Sequence, residues 1–234
     1  MENHSEITVL CSTYNSAKWI DGYLKSINKQ MLKTFNIIFV DANSDDGSLE
    51  TIKDFTFRDG ITVEIVEYAE KIPIYEAWNC AIHRCNTEYV INVNTDDRLY
   101  PSALKTYLGY AEAEPSGDIF YCTYVQVDDV THERLSGFFQ PPEHDHNLLI
   151  QQCYGGPFPM LKRDTLIEEG LFNPEYDISG DYEMWLRMSK NNRNFVRVAE
   201  SLGSYYRNPQ GVSTNRENHM RHVQQDLFLR ELYR

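Results

Sequence analysis

The stretch FNIIFVDANSDDGSLE, residues 35–50, carries the pattern from which the fold can be predicted. Phe35–Val40 is an apolar run rich in β-forming side chains, which is typical of a buried strand. The polar residues 41–48 follow at once and have the composition of a turn. Ser48 and Glu50 then suit the start of a helix. The stretch therefore predicts a strand, a polar turn and a helix in direct succession.

The same unit recurs on both sides of this stretch, across the first half of the chain. Three further strand and helix pairs are predicted: Ile7–Cys11 with Ala17–Gln30, Ile61–Val66 with Tyr75–Cys85, and Glu88–Val93 with a helix from Pro101 to Tyr110. Strands and helices that alternate in this way are typical of a doubly wound, mostly parallel α/β sheet with helices on both faces. Such sheets bind ligands at the carboxyl ends of their strands, where the strand order reverses. We therefore expect the site in the polar turns that follow the strands.

The second half has a different character, with short elements between longer irregular segments. Its predicted elements are strands at Phe120–Val127, Phe195–Val198 and Leu202–Tyr206, helices at Leu161–Gly170, Gly180–Met188 and Asn218–Tyr233, and a long loop from Val127 to His146. No internal repeat or low-complexity linker separates the two halves. We therefore expect a single domain over residues 1–234.

Acidic residues outnumber basic ones: 35 Asp and Glu against 22 Lys and Arg give a formal net charge of −13. So acidic a chain lacks the basic stripe that nucleic acid and anionic lipid require, and neither is an expected partner. The five scattered cysteines are an odd number and favour reduced thiols in the cytoplasm. No apolar run approaches the about 18 residues of a membrane span, and residues 1–6 are polar, so we predict neither a span nor a secretory signal.

Three acidic clusters lie where a site is expected. Asn94–Asp97 ends a strand, and its adjacent carboxylates, Asp96 and Asp97, suit a hard divalent ion that takes further ligands from phosphate. The alternative for this cluster is a solvated turn that caps the next helix. Asp41–Asp46 either accepts a hydrogen bond from a uracil base or forms an acidic, helix-capping turn. Asp181 begins a helix and is either a capping residue or a general base.

Taken together, these segments resemble the family 2 glycosyltransferases, which have the GT-A fold. The resemblance runs from Ile7 to about Ser213 and rests on the order and spacing of its segments. They are Ser-Thr-Tyr-Asn at 12–15, the strand end and turn at 40–48, Ile-Tyr-Glu-Ala-Trp-Asn at 74–79, Asn-Thr-Asp-Asp at 94–97, Gly-Asp-Tyr-Glu-Met-Trp-Leu-Arg at 180–187, and Tyr206-Arg207 with Gly211-Val212-Ser213. Two positions depart from the family: Ala42 stands where a second acidic residue is frequent, and Pro73 where a glycine is frequent.

The resemblance implies a nucleotide-sugar-binding half, residues 1–110, and an acceptor-binding half, residues 111–234. The donor residues that it implies are Thr13, Tyr14 and Asp41 around the base, Asn15 and Ser44 beside them, Lys71 near the donor, Asp96 at the ribose or donor sugar, and Arg207 and Ser213 on a segment that closes over the diphosphate. Asp97, together with Asp96, is the expected ligand of Mn2+ or Mg2+. Asp181 matches the catalytic base of the family.

On the acceptor side, the region around Gly155-Gly156-Pro157 shapes the pocket in this family. Tyr154, Phe158 and Trp185 are therefore candidates for stacking on a sugar, with ordinary core packing as the alternative. Glu183, two residues beyond the expected base, is expected to face solvent or the acceptor.

The activity implied by the resemblance is an inverting, metal-dependent transfer of a sugar from a nucleotide diphosphate donor, with a UDP-sugar as the default. The expected acceptor is a hydroxyl of a saccharide or glycoconjugate, in polysaccharide biosynthesis. Two alternatives stay open, a non-catalytic nucleotide-sugar-binding module and a sugar nucleotidyltransferase. Ser12–Lys18 counts against the second, because it lacks the Gly-rich basic loop of such enzymes. The histidine pairs 144/146 and 219/222 have no cysteine at ligand spacing, so no zinc site is predicted.

Overall fold

The computed structural model describes residues 5–234, apart from the side chain of Ser136. Its elements are β1 (Ile7–Thr13), α1 (Ala17–Asn28), β2 (Phe35–Asp41), α2 (Ser48–Asp54), β3 (Ile61–Glu67), α3 (Ile74–Arg84), β4 (Tyr89–Asn92), β5 (Arg98–Leu99), α4 (Ala103–Ala113), β6 (Ile119–Asp128), β7 (Arg134–Phe139), α5 (His146–Gln151), β8 (Met160–Lys162), α6 (Arg163–Glu168), α7 (Gly180–Lys190), β9 (Phe195–Arg207) and α8 (His219–Leu232). The four strand–helix pairs predicted in the first half are all present, with bounds that differ by a few residues.

Within the described residues, nine strands form one sheet in the order β3-β2-β1-β4-β8-β6-β9-β5, and β7 pairs with β6 beside this path. The first four strands of this order are parallel to one another. Beyond them the sheet is mixed, since β8 runs antiparallel to both β4 and β6. The strand order reverses at β1, which has β2 on one side and β4 on the other. A crevice is expected at the carboxyl ends of these strands.

Strands β1, β2 and β4 are largely apolar because each contributes to two cores, whereas β3, at the edge of the sheet, is only partly buried and contains Glu64 and Glu67. Ile37 and Phe39 of β2 belong to the core cluster on one face of the sheet. Ile38 and Val40, the alternate residues, belong to the cluster on the other face. Successive side chains of a strand point to opposite faces, so a strand covered by helices on both sides reads as an unbroken apolar run.

Three predictions for the second half are corrected by the structure. The segment expected to be a loop from Val127 to His146 contains β7, which forms a hairpin with β6. The helix predicted from Leu161 begins at Arg163, because Met160 and Leu161 fill the gap between β4 and β6 as strand β8. The two short strands expected after residue 195 are one long strand, β9, whose register with β6 shifts near Thr123.

The structure adds two observations on chain chemistry. All five cysteines are free thiols. Among residues 5–234 there is no helix with the length and apolar character needed to cross a bilayer.

Candidate active site

A cleft of about 870 Å³ opens at the carboxyl ends of β1, β2 and β4, where the strand order reverses. The turns after these strands form one wall of the cleft. The start of α7, the segment before α8 and the first turns of α8 form the other. Of the residues predicted for the site, Tyr14, Asn15, Lys71, Asp96, Asp181 and Ser213 line this cleft, whereas Thr13, Asp41, Ser44, Asp97 and Arg207 do not.

The turn after β1 is tied to the turn after β2 through one asparagine. The Asn15 backbone has a φ of 46°, a left-handed conformation that asparagine tolerates better than most residues. Its N–H donates to Ser44 Oγ at 3.1 Å, and its side-chain oxygen accepts from the Asp45 N–H at 3.0 Å. Asn15 and Ser44 therefore hold the two turns together at the edge of the cleft.

An exposed aromatic ring and a cation stand together at the same edge. The Tyr14 ring is 42% exposed, and Lys71 Nζ lies 4.0 Å from its centroid. Both residues line the cleft. Thr13, one residue earlier, is fully buried. The pair offers a flat apolar surface beside a positive charge, which suits a nucleoside diphosphate.

Asp41 lies below the cleft and organises the turn after β2. Its two carboxylate oxygens accept from the Ser44 N–H at 2.9 Å and from Ser44 Oγ at 2.6 Å. The side chain is buried, and Ala42 is the residue of this turn that lines the cleft. Asp41 thus supports the cleft through Ser44, without reaching its surface.

The adjacent carboxylates after β4 point in different directions. Asp96 lines the cleft, where its Oδ2 accepts from Asn208 Nδ2 at 3.4 Å. Asp97 is fully buried, and its Oδ1 accepts from the Tyr206 N–H at 3.2 Å. Its Oδ2 is buried without a hydrogen-bond partner. Of the two expected metal ligands, Asp96 lines the cleft and Asp97 is enclosed beneath it.

The electrostatics of the two carboxyls follow from this placement. Burial raises the pKa of Asp97 well above its usual range, and the neighbouring charge of Asp96 adds to the rise. Burial also raises the pKa of Asp96, with the Asp129 carboxylate contributing in the same direction. A cation bound at Asp96 would favour the charged form of both carboxyls and so lower both pKa values. Within residues 5–234 no group of three or more His, Cys, Asp or Glu side chains converges, so other ligands would come from substrate phosphate and water.

Arg98 fixes the shape of the turn that presents Asp96. Its guanidinium donates to three backbone carbonyls, those of Thr95 at 2.8 Å, Asp97 at 2.7 Å and Trp19 at 3.0 Å. It thereby connects the turn after β4 to α1. Nothing in the sequence pattern marked this arginine, because its partners are carbonyls from two separate segments.

Asp181 lies in the first turn of α7 and lines the opposite wall of the cleft. Its Oδ1 accepts from the Tyr182 N–H at 2.8 Å and from the Tyr75 hydroxyl at 3.2 Å. Burial raises the pKa of Asp181, against the lowering effect of these two donors. A carboxylate with a raised pKa, facing a cleft, is suited to accept a proton.

Glu183 has a structural role, and the prediction for it was wrong. It was expected to face solvent or the acceptor, but it is buried and pairs with Arg187 through two contacts of 2.8 and 2.9 Å. Tyr233, just after α8, also donates its hydroxyl to Glu183. The i, i+4 spacing of Glu183 and Arg187 was a usable signal for this pair.

The proposed stacking residues of the acceptor side are core residues. Tyr154, Phe158 and Trp185 are buried, and none lines the cleft. The cleft is instead lined by Tyr206 and His222, which the sequence pattern included, and by residues that it did not mark, among them Trp19, Tyr205, Asn208, Arg221 and Asp226. They come from three separate segments and meet only in the fold.

Known proteins share both the sequence pattern and the fold. The profile of glycosyl transferase family 2 matches residues 8–169. AmsB of Erwinia amylovora, an amylovoran biosynthesis glycosyltransferase, is 26% identical over 208 residues, which cover 85% of this chain and 69% of AmsB. TarS 1-349 of S. aureus in complex with UDP has a TM-score of 0.76 at 18% identity, covering 97% of this chain and 65% of the TarS chain.

A second solved structure gives the same fold. The mannosyltransferase PcManGT from Pyrobaculum calidifontis, in complex with GDP-Man and Mn2+, has a TM-score of 0.75 at 18% identity, covering 97% of this chain and 64% of that one. The chain thus spans about two thirds of the length of these proteins, and the likeness confirms the GT-A fold. Because residues 8–169 make up more than half of the chain, it belongs to glycosyl transferase family 2.

Proposed function

We propose that this chain transfers a sugar from a nucleoside diphosphate donor to an acceptor hydroxyl with inversion at the anomeric carbon. The observation that carries the proposal is that Asp96 and Asp181 line opposite walls of one cleft at the switch point of the sheet. We assign Asp96 to the diphosphate side of the donor and Asp181 to the acceptor hydroxyl. The setting we propose is glycan assembly, because AmsB is named for amylovoran biosynthesis.

Asp181 is the proposed base. Its raised pKa gives it a higher proton affinity than an exposed aspartate, so it takes the acceptor proton more readily as the hydroxyl attacks. Direct attack from the side opposite the diphosphate inverts the anomeric centre and requires no covalent sugar–enzyme intermediate. The non-catalytic alternative leaves the half-buried carboxyl of Asp181, in the cleft wall, without a role.

Asp96 is the proposed protein ligand of a divalent cation, Mn2+ or Mg2+. Hard cations of this kind are commonly held by one or two carboxylates, with phosphate oxygens and water as further ligands. The single cleft-facing carboxylate after β4 fits that pattern. When bound, the cation would neutralise charge on the departing diphosphate. Asp97 is proposed to support this turn from below through its bond to the Tyr206 N–H.

Tyr14 and Lys71 are proposed to hold the nucleoside diphosphate at the other end of the cleft. The ring offers a stacking face, and the ammonium group beside it offers a charge for phosphate. Asn15 and Ser213 line the same cleft and complete the proposed donor set. UDP is the first candidate because TarS was solved with UDP, but PcManGT was solved with GDP-Man, so both bases need testing.

The test is calorimetric titration of UDP, GDP, CDP and ADP, each with and without Mn2+. We expect tight, Mn2+-dependent binding of one diphosphate. Asp96→Asn should weaken that binding at least about tenfold and remove its dependence on Mn2+. Asp97→Asn, the matched variant one residue away, should bind as the parent does. Asp181→Asn should keep donor binding and lose turnover by at least about 100-fold.

Three results would count against the proposal. If none of the four diphosphates bound to the folded protein, the donor site would be wrong. If Asp97→Asn lost Mn2+-dependent binding while Asp96→Asn kept it, the metal assignment would be reversed. Unchanged turnover in Asp181→Asn would remove the base.

A further inference from the structure

A buried tyrosine contacts the proposed base from across the fold. Tyr75 lies in the first turn of α3, is 3% exposed, and its hydroxyl is 3.2 Å from Asp181 Oδ1. The same hydroxyl is 3.0 Å from the backbone carbonyl oxygen of Ile178. Its oxygen therefore stands between a titratable acceptor and a fixed one.

The ring that carries this hydroxyl is held by its neighbours. Trp78 meets it edge-on with ring centroids 5.3 Å apart, and Phe172 stacks on it at 5.9 Å. Gly180, next to Asp181, allows the close approach, because a Cβ there would lie 2.7 Å from Tyr75 Cε2. The hydroxyl is thus fixed in position and free only in the direction of its O–H bond.

One O–H bond can satisfy only one of the two acceptors at a time, but a hydroxyl oxygen also accepts. With Asp181 ionised, the Tyr75 O–H can donate to the carboxylate. With Asp181 protonated, the carboxylic acid can donate to the Tyr75 oxygen, and the Tyr75 O–H can turn to the Ile178 carbonyl. Both protonation states of Asp181 are therefore paired without movement of a heavy atom.

We propose that Tyr75 is a positioning residue for Asp181, with a hydroxyl that donates to the carboxylate before proton transfer and turns to the Ile178 carbonyl after it. The inference rests on the proposed function for the role of Asp181 as a base. The proton of the acceptor hydroxyl goes to Asp181, and the Tyr75 proton stays on its own oxygen throughout. Tyr75 therefore acts through Asp181 and takes no part in bond making.

Other groups around Asp181 also influence its pKa. Burial raises the pKa of Asp181, and the Asp226 carboxylate on α8 adds to the rise. His222, also on α8, acts in the lowering direction. Cys153 faces the same cleft, and Arg230 lies 4.0 Å from Asp226. None of these side chains is among the hydrogen-bond donors to Asp181, which leaves Tyr75 as its side-chain donor among the described residues.

The test compares two variants that lose the same group. Tyr75→Phe removes the hydroxyl beside Asp181. Tyr107→Phe removes a buried hydroxyl that donates to the Phe158 carbonyl oxygen at 2.9 Å, and neither residue lines the cleft. The pKa of Asp181 is measured by carbon NMR of protein labelled at the aspartate carboxyl carbons, with its resonance assigned from its loss in Asp181→Asn.

We expect Tyr75→Phe to raise the pKa of Asp181 by about one unit, because the carboxylate loses a donor that stabilises its charge. Tyr107→Phe should leave it unchanged. In turnover assays, the acidic limb of the kcat profile should move to higher pH by the same amount, with an unchanged KM for the donor. Gly180→Ala, which pushes the ring away without deleting the hydroxyl, should shift the pKa in the same direction and serves if Tyr75→Phe fails to fold.

An unchanged pKa in both Tyr75→Phe and Gly180→Ala would overturn the inference. Equal shifts in Tyr75→Phe and Tyr107→Phe would also overturn it, since they would reflect general loosening. A pKa shift in Tyr75→Phe but not in Tyr107→Phe, in a protein that binds no nucleotide, would support the Tyr75–Asp181 coupling while the proposed function fails. The two proposals can therefore fail separately.

Discussion

The ion pair between Glu183 and Arg187 is expected to contribute measurably to the free energy of unfolding. The pair is bidentate, and its side chains are only 5% and 19% exposed. Arg187 also donates to the Leu171 carbonyl oxygen at 2.8 Å and to that of Glu169. Arg187→Met would leave a buried carboxylate with no cation and two carbonyls without this donor. Breaking a buried pair in this way costs about 3 kcal/mol, at the lower end of the usual range because Tyr233 still donates to Glu183.

The assay is urea and thermal unfolding, and a loss of about 3 kcal/mol corresponds to a Tm lower by roughly 6–12 °C for a chain of this size. Arg84→Met is the matched control, since Arg84 also lies 2.8 Å from its partner, Glu64, but both side chains are more than 40% exposed. Water screens an exposed pair, so Arg84→Met is expected to lower the stability far less than Arg187→Met. The double variant Glu183→Gln/Arg187→Met should cost less than the sum of the single changes. Strict additivity, or a loss in Arg187→Met no larger than in Arg84→Met, would refute the reasoning.

Two further predictions follow from burial near the cleft. Burial raises the pKa of Asp97, so the folded protein keeps a proton that the unfolded chain releases above about pH 4. The contribution of this proton to the free energy of unfolding is fully present below about pH 4, and it is lost as the pH rises through the raised pKa of Asp97. Asp97→Asn should therefore flatten the fall in unfolding free energy that begins above about pH 4, measured with urea; parallel curves would contradict this. Gly155→Ala should destabilise by about 1–3 kcal/mol, because the new Cβ would lie 2.6 Å from Trp185 Nε1. Gly109→Ala, in α4 with no atom within 4 Å of the new Cβ, should not lower the Tm, and an equal loss in both variants would remove the steric explanation.

The first half of the fold could be predicted because its signals are local. Strands β1, β2 and β4 are covered on both faces, so each appears in the sequence as an apolar run that ends in a polar turn. For β2 the predicted and observed bounds, Phe35–Val40 and Phe35–Asp41, differ by one residue. The strand order and the cleft at the switch point then follow from the general rule for such sheets.

The second half could not be predicted to the same depth because its strands depend on distant partners. β8 is three residues long and exists through pairing with β4 and β6, from two other parts of the chain. No periodicity can be recognised in so short a segment. β7 carries Leu135 and Phe138, both exposed, beside Phe139, which packs against the core, so its apolar residues do not alternate as those of a half-buried strand do.

At the candidate site, too, the sequence predicts which types of residue are present but not the directions in which their side chains point. Adjacent acidic residues at the end of β4 correctly mark the cleft, but the sequence cannot say which one faces it. The directions of the two side chains are set by contacts with other segments. The Tyr206 N–H of β9 donates to the Asp97 carboxylate. Arg98 donates to three backbone carbonyl oxygens and so fixes the turn in which Asp96 faces the cleft. Asp41 is a further example, since its carboxylate accepts hydrogen bonds from the N–H and the hydroxyl of Ser44 and does not line the cleft. An aspartate that supports a turn and an aspartate that faces a ligand cleft can have the same position in a motif, and they are distinguished by the burial and the contacts that the rest of the fold supplies.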